Sequence, residues 1–288
     1  AFMLSDFFLV RSFLKWKNNY MVKMEEWMHI ISEMDAMVSM ADFRYNHPEA
    51  EEAEFVSGSP EADTESDVSE NAGIGSPEIV FDGKNLYHPF LGAKAVRNDF
   101  TIKDDNYYII TGANMAGKST FLRSLGVNYI LAMAGMPVFA DQLKISRFRL
   151  FSSMRTTDDL THGISYFNAE LIRLEELLKF CKESAEGNKE SLRTLIILDE
   201  ILKGTNSLDK LNGSRKFLEA IAKQPVSGII ATHDLELSKM EDDASGKFHN
   251  YCFEIDLGTD VTYTYKIQKG VARNQNATFL LNKILEKY

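Results

Sequence analysis

The segment Gly112-Ala113-Asn114-Met115-Ala116-Gly117-Lys118-Ser119-Thr120 constrains this chain most, because it fits the phosphate-loop pattern: two glycines with four residues between them, then Lys and Ser. It follows an apolar, β-rich run, Tyr107-Tyr108-Ile109-Ile110, and precedes a helical pattern with Phe121, Leu125 and Tyr129 on one face. Glycines let the backbone close around phosphate oxygens with its N–H groups pointing inward, and the next helix turns its N-terminus to the anion. In such a loop Lys118 reaches the β and γ phosphates and Ser119 holds Mg²⁺. A plain glycine turn between strand and helix requires neither Lys nor Ser after the second glycine.

A phosphate loop that hydrolyses its nucleotide needs a carboxylate site. Thr194-Leu195-Ile196-Ile197-Leu198-Asp199-Glu200 supplies one at the end of a buried-type strand. Asp199 is the expected ligand to the hydration shell of Mg²⁺, and Glu200 the general base for the attacking water. Paired carboxylates at a strand end also cap helices; beside a phosphate loop the pair reads as hydrolytic. Ile229-Ile230-Ala231-Thr232-His233-Asp234 is a further strand with a polar end. In a parallel sheet His233 falls on the rim where ligands bind, within reach of a γ-phosphate or the lytic water.

Four short apolar runs, 79–81, 107–111, 195–198 and 228–232, alternate with helical patterns. The expected fold is α/β, a P-loop NTPase with a largely parallel central sheet flanked by helices and preceded by a helical segment. That segment is residues 1–43, where Leu9, Phe13, Trp16, Tyr20, Trp27, Ile30, Ile31, Met34 and Met37 recur mostly at spacings of three and four, with no proline. Its first ten residues are too short an apolar run for a membrane span and lack the basic start of a signal peptide. A chain that opens inside a helical pattern without an initiator Met reads as an excised part of a longer protein.

Charge sets the boundary between the two parts. The chain has 288 residues, with 32 Lys plus Arg against 42 Asp plus Glu, a net charge of −10. Nine of the acids (Glu49, Glu51, Glu52, Glu54, Glu61, Asp63, Glu65, Asp67 and Glu70) lie in residues 49–70, which hold no Lys or Arg. Rich in Ser, Gly, Pro and Ala, this tract has too little apolar surface to offset its ordering entropy. Residues 44–77 are therefore expected to be an acidic flexible linker, and 78–288 the nucleotide-binding domain. The balance excludes a basic nucleic-acid-binding face within the chain. Two cysteines, Cys181 and Cys252, make no disulfide framework, so the expected compartment is a reducing cytoplasm.

Three strings together, 111–120, Leu198-Asp199-Glu200-Ile201-Leu202-Lys203-Gly204-Thr205-Asn206 and Ala231-Thr232-His233, resemble the ATPase domain of the MutS mismatch-repair family, a branch of the ABC-type ATPases. The likeness covers roughly 79–288, with His88-Pro89 and Asn98-Asp99 ahead of the loop; residues 1–43 are similar to the base of the lever helices that precede this domain. It implies a Mg²⁺-dependent ATPase converting ATP and water to ADP and phosphate, in a homodimer with composite sites, coupled to DNA through domains absent from this chain. It also implies a role for Ser165 in Ile164-Ser165-Tyr166-Phe167-Asn168: such a serine faces the partner's γ-phosphate. From the residues alone, Ser165 is an N-cap to a helix with an apolar stripe of Phe167, Leu171, Leu174, Leu178 and Cys181, and the two roles are compatible.

Some positions depart from the family. Lys94-Ala95-Val96-Arg97 and Asn250-Tyr251-Cys252-Phe253 stand where stacking rings for adenine are expected, which implies looser adenine selectivity. Lys203 replaces an Arg and loses its planar fork. Other clients (recombination intermediates, ribosomes, a membrane-linked complex) and a low-turnover nucleotide-gated dimerisation switch are the alternatives. The final pattern, with Phe279, Leu280, Leu281 and Ile284, reads as a helix that braces a neighbouring subunit or covers the chain's own sheet.

Overall fold

The computed structural model describes residues 2–56, 79–154, 166–186, 193–202, 205–242, 245–257, 261–273 and 285. The chain divides into two compact units, Ala1–Glu49 and Ala50–Tyr288.

The first unit is one helix, α1 (Phe2–Asn46), 45 residues without Gly or Pro. It stops just before His47-Pro48, because the residue ahead of a proline is pushed out of the helical region. Arg44 in the last turn suits the negative end of the helix dipole. Phe13, Trp16, Trp27 and Met34 of α1 are exposed. No helix among the described residues is long and apolar enough to cross a membrane.

The second unit is built from β1 (Glu54–Phe55), β2 (Ile79–Leu86), β3 (Asn98–Lys103), β4 (Tyr107–Gly112), α2 (Lys118–Met133), β5 (Gln142–Ile145), β6 (Arg149–Ser153), α3 (Tyr166–Glu186), β7 (Thr194–Asp199), α4 (Ser207–Ile221), β8 (Val226–Ala231), β9 (Phe248–Leu257) and β10 (Val261–Lys269). Six strands make the central sheet in the order β10-β9-β4-β8-β7-β6. Every neighbouring pair is parallel except β10 with β9. A second, four-stranded sheet has the order β1-β5-β2-β3. The α/β architecture expected from the alternating patterns is the one observed, and all four apolar runs fall on strands.

Period-two alternation divides the central strands between two cores. Tyr108, Ile110, Leu195, Ile197, Ile229 and Ala231 point to one face, where α2 and the second sheet cover them. Tyr107, Ile109, Ile196, Leu198, Val226 and Ile230 point to the other, covered by α3 and α4. Each fully buried Ile or Leu contributes about 1.5–3 kcal/mol by leaving water, so runs with no polar residue on either face are the ones a doubly covered sheet selects. Phe121, Leu125 and Tyr129 of α2 are buried as their spacing predicts. The α3 stripe is shifted: Leu177 and Cys181 are fully buried, whereas Phe167 and Leu171 in the first turns are exposed.

Asn128, wholly buried on α2, donates to Tyr87 O (3.1 Å) and accepts from Phe139 N–H (2.6 Å). It ties the helix to the chain around the second sheet, and losing it would strand buried backbone groups at about 1–3 kcal/mol.

Of the residues read as linker, 44–46 close α1, while Glu51 pairs with Val138 and Glu54–Phe55 form β1 beside β5. Lys144 meets Glu54 at 2.9 Å. Backbone pairing needs no apolar side chains, so composition alone passes over a strand of two residues. Residues 57–78 lie outside the described residues, as do Phe279, Leu280, Leu281 and Ile284 of the expected C-terminal helix.

Candidate nucleotide site

β4 runs through the middle of the sheet, all six of its residues buried, and delivers the phosphate loop to its carboxyl end. The turn out of the strand is tight. Gly112 has φ 149°, and a Cβ there would come within 2.8 Å of Phe253 O. Gly117, at the N-cap of α2, has φ 111° and accepts from Phe121 N–H at 2.9 Å. Only glycine adopts such backbone without strain. Met115, between them, is left-handed at φ 66° and largely exposed.

Lys118 lies under this loop, 5% exposed. Its Nζ donates to Gly112 O (2.7 Å) and Ala113 O (2.9 Å) and lies 3.3 Å from His233 Nδ1. Burial pushes its ammonium from 10.5 down to about 8, against the opposing pull of the Glu200 and Asp199 carboxylates. A buried cation whose hydrogen bonds go to neutral carbonyls is a ready anion receptor.

The strands on either side bring the other predicted groups to the same rim. Thr232 N–H donates to Ile110 O (2.9 Å), extending the β8–β4 ladder and placing His233 beside the loop. Glu200 N–H donates to Ala231 O (2.9 Å), which extends β7–β8 in the same way. His233 Nδ1 is 3.0 Å from Gly112 O, and Nε2 is 3.0 Å from Glu200 Oε1. Gly112 O and Glu200 Oε1 both only accept, so the tautomer decides whether His233 donates to the first through Nδ1 or to the second through Nε2. Glu200 is itself left-handed, φ 65°, a costly conformation for a residue with a Cβ. Lys118, Glu200 and His233 thus form one connected cluster. Asp199 ends β7, half-buried, and Ser119 is half-buried in the first turn of α2.

Above the loop is a cavity of about 480 Å³, lined by residues 114–120, His88, Leu91, Val96, His233 and Tyr265. The sequence reading overlooked Tyr265. Its ring stacks on Tyr263 (5.8 Å between centroids) and approaches the Cβ position of Gly117 at 3.1 Å. A bulge in β10 between Tyr263 and Ile267 aims it there, and Asn98 holds the bulge by donating to Tyr265 O (3.0 Å) and accepting from Ile267 N–H (2.9 Å). Cys252 is buried opposite Thr111 in the sheet, and Tyr265 presents an aromatic ring to the cavity. Two tyrosines two residues apart were a visible signal, but their place beside the loop depends on β9 pairing with β4. Ser165 and Lys203 lie outside the described residues.

Residues 108–279 match the family described as MutS domain V. The chain is 31% identical over 223 residues to a DNA mismatch repair protein MutS of Acetivibrio thermocellus, covering 72% of this chain and 24% of that protein. It is 32% identical over 213 residues to that of Lachnoclostridium phytofermentans, covering 68% and 22%. With the counterpart from Persephonella marina the identity is 31%, over 65% of this chain and 21% of the relative. The chain thus spans about a quarter of the length of the relatives it matches.

Proposed function

The chain belongs to the MutS family, and from that premise we propose that it is the ATP-hydrolysing motor module of a MutS-type DNA mismatch-repair protein. The observation that carries the reading is the cluster in which Lys118 and His233, both lining the phosphate-loop cavity, meet, with Glu200 against His233.

The backbone of residues 112–120 wraps the phosphates. Lys118 exchanges its bonds to Gly112 O and Ala113 O for phosphate oxygens, a trade of neutral acceptors for charged ones. Ser119 and Asp199 would hold Mg²⁺, which neutralises charge on the β and γ phosphates when bound. The Cβ-free cradle at Gly112 and the carboxylate beside Lys118 fit that pair of ligands. Glu200 takes a proton from water as the water oxygen bonds to the γ-phosphorus and the bond to the bridging oxygen breaks, giving ADP and phosphate. His233 keeps the Glu200 carboxylate on the cavity side. Tyr265 stacks on the base.

The site is completed by a second copy, whose Ser165 faces the γ-phosphate. Phe167 and Leu171, exposed in the first turns of α3 next to that serine, support an interface there. Closure of the pair is passed to α1, read as the base of a lever helix, and so to DNA-holding domains outside this chain. The module works in the cytoplasm, where Cys181 and Cys252 stay free thiols.

The test is Glu200→Gln. Removing a general base lowers kcat by about 10²–10⁴-fold, with ATP still bound. Turnover at the wild-type rate would remove Glu200 from the chemistry.

A further inference from the structure

Glu200 is held from two sides, and one of its holders stands outside the phosphate site. While Oε1 faces His233, Oε2 lies 3.5 Å from Nζ of Lys210, on α4. The Glu200 and Lys210 side chains are 15% and 20% exposed, so solvent screens this pair far less than an exposed pair such as Lys144–Glu54 at 46% and 65%.

Lys210 also sits in a place that disfavours it. It follows the N-cap Asn206 by one turn, its N–H donating to Asn206 O at 2.9 Å, at the positive end of the helix dipole. Asp209, its neighbour, accepts from the Asn206 side chain at 2.6 Å. Glu200 is the ion-pair partner of Lys210 among the described residues.

The geometry between the two residues is fixed by packing. Leu202 lies against Gly213 of α4 so closely that a Cβ there would meet its Cδ1 at 2.4 Å, and Ser214 Oγ donates to Ile201 O at 3.4 Å. Ile201 and Leu202, the two residues after Glu200, are thereby clamped to the turn of α4 that follows Lys210. Glu200 stands on left-handed backbone at the edge of this clamp, so the direction of its carboxylate depends on what grips its oxygens.

We propose that Lys210 is a positioning residue for hydrolysis: by gripping Oε2 it keeps Oε1 on the His233 side, where the cavity is. The inference rests on Glu200 being the base, and deepens that assignment. It reaches a residue on another helix that is not part of the cavity lining.

Steady-state ATP hydrolysis and equilibrium ATP binding by the whole chain test it. Lys210→Met keeps the length of the side chain and loses the charge; kcat is expected to fall about tenfold or more, with KM and Kd for ATP within about twofold. Unchanged binding also reports that the variant is folded. Lys210→Arg is expected to recover most of the rate, and in a Glu200→Gln background Lys210→Met should cost nothing further. An unchanged kcat, a loss that appears in KM instead, or an Arg variant as slow as the Met variant overturns the proposal. If Glu200→Gln turns over normally, the assignment of the base falls first; if Glu200→Gln is slow and Lys210→Met is not, only the role of Lys210 falls.

Discussion

Tyr265 shows how one side chain acquires a role through a backbone irregularity. Its ring stacks on Tyr263, and the bulge, φ 53° at Tyr265 and the Asn98 clamp bring it beside Gly117 of the loop. Stacking a base on an aromatic ring is worth about 1–3 kcal/mol. Tyr265→Ala is therefore expected to raise Kd for both ATP and ADP by roughly tenfold or more while kcat changes little, and Tyr265→Phe to bind as wild type. Equal binding of ATP by the Ala variant in a fluorescence titration would mean that the base lies elsewhere.

Among the elements, β8 is closely fitted on both sides. It lies between β4 and β7, the strands that carry the loop and the carboxylates, and Gly228 is what lets them close on it. A Cβ at Gly228 would meet Tyr107 Cδ1 at 2.8 Å and Ile196 Cγ1 at 2.9 Å, from both neighbouring strands at once. Gly228→Ala is expected to cost about 1–3 kcal/mol of stability, the usual penalty for overpacking a close-fitted core. A calorimetric Tm equal to wild type would show that these strands yield. Because Asp199, Glu200 and His233 are set by this three-strand register, the same substitution should slow hydrolysis more than it weakens nucleotide binding.

For the whole molecule, the net charge of −10 says little about the working surface, since nine of the acids lie in residues 49–70. The rest is nearly neutral, so the association of two copies faces little electrostatic opposition. Light scattering of the Glu200→Gln variant with ATP and Mg²⁺ should read twice the mass seen without nucleotide; a mass indifferent to nucleotide would mean that each site is complete within one chain. How much of this was legible beforehand follows from the range of the interactions. Gly112, Gly117, Lys118, Asp199, Glu200 and His233 could be read in sequence because each is tied to a local strand-to-turn pattern whose spacing the chemistry dictates, and the apolar runs around them require burial on both faces. Tyr265 and the strand at Glu54–Phe55 could not, because their partners, at Gly117 and Lys144–Ile145, are distant in sequence, nor could Lys210, whose approach to Glu200 depends on how α4 packs against Ile201 and Leu202. Local pattern alone determined that a glycine loop carrying Lys118 would stand at the end of a buried parallel sheet. Which side chains stand beside the loop and which meet the Glu200 carboxylate was decided by the tertiary structure, since only the pairing of β9 with β4 and the packing of α4 against Leu202 bring those groups within contact distance.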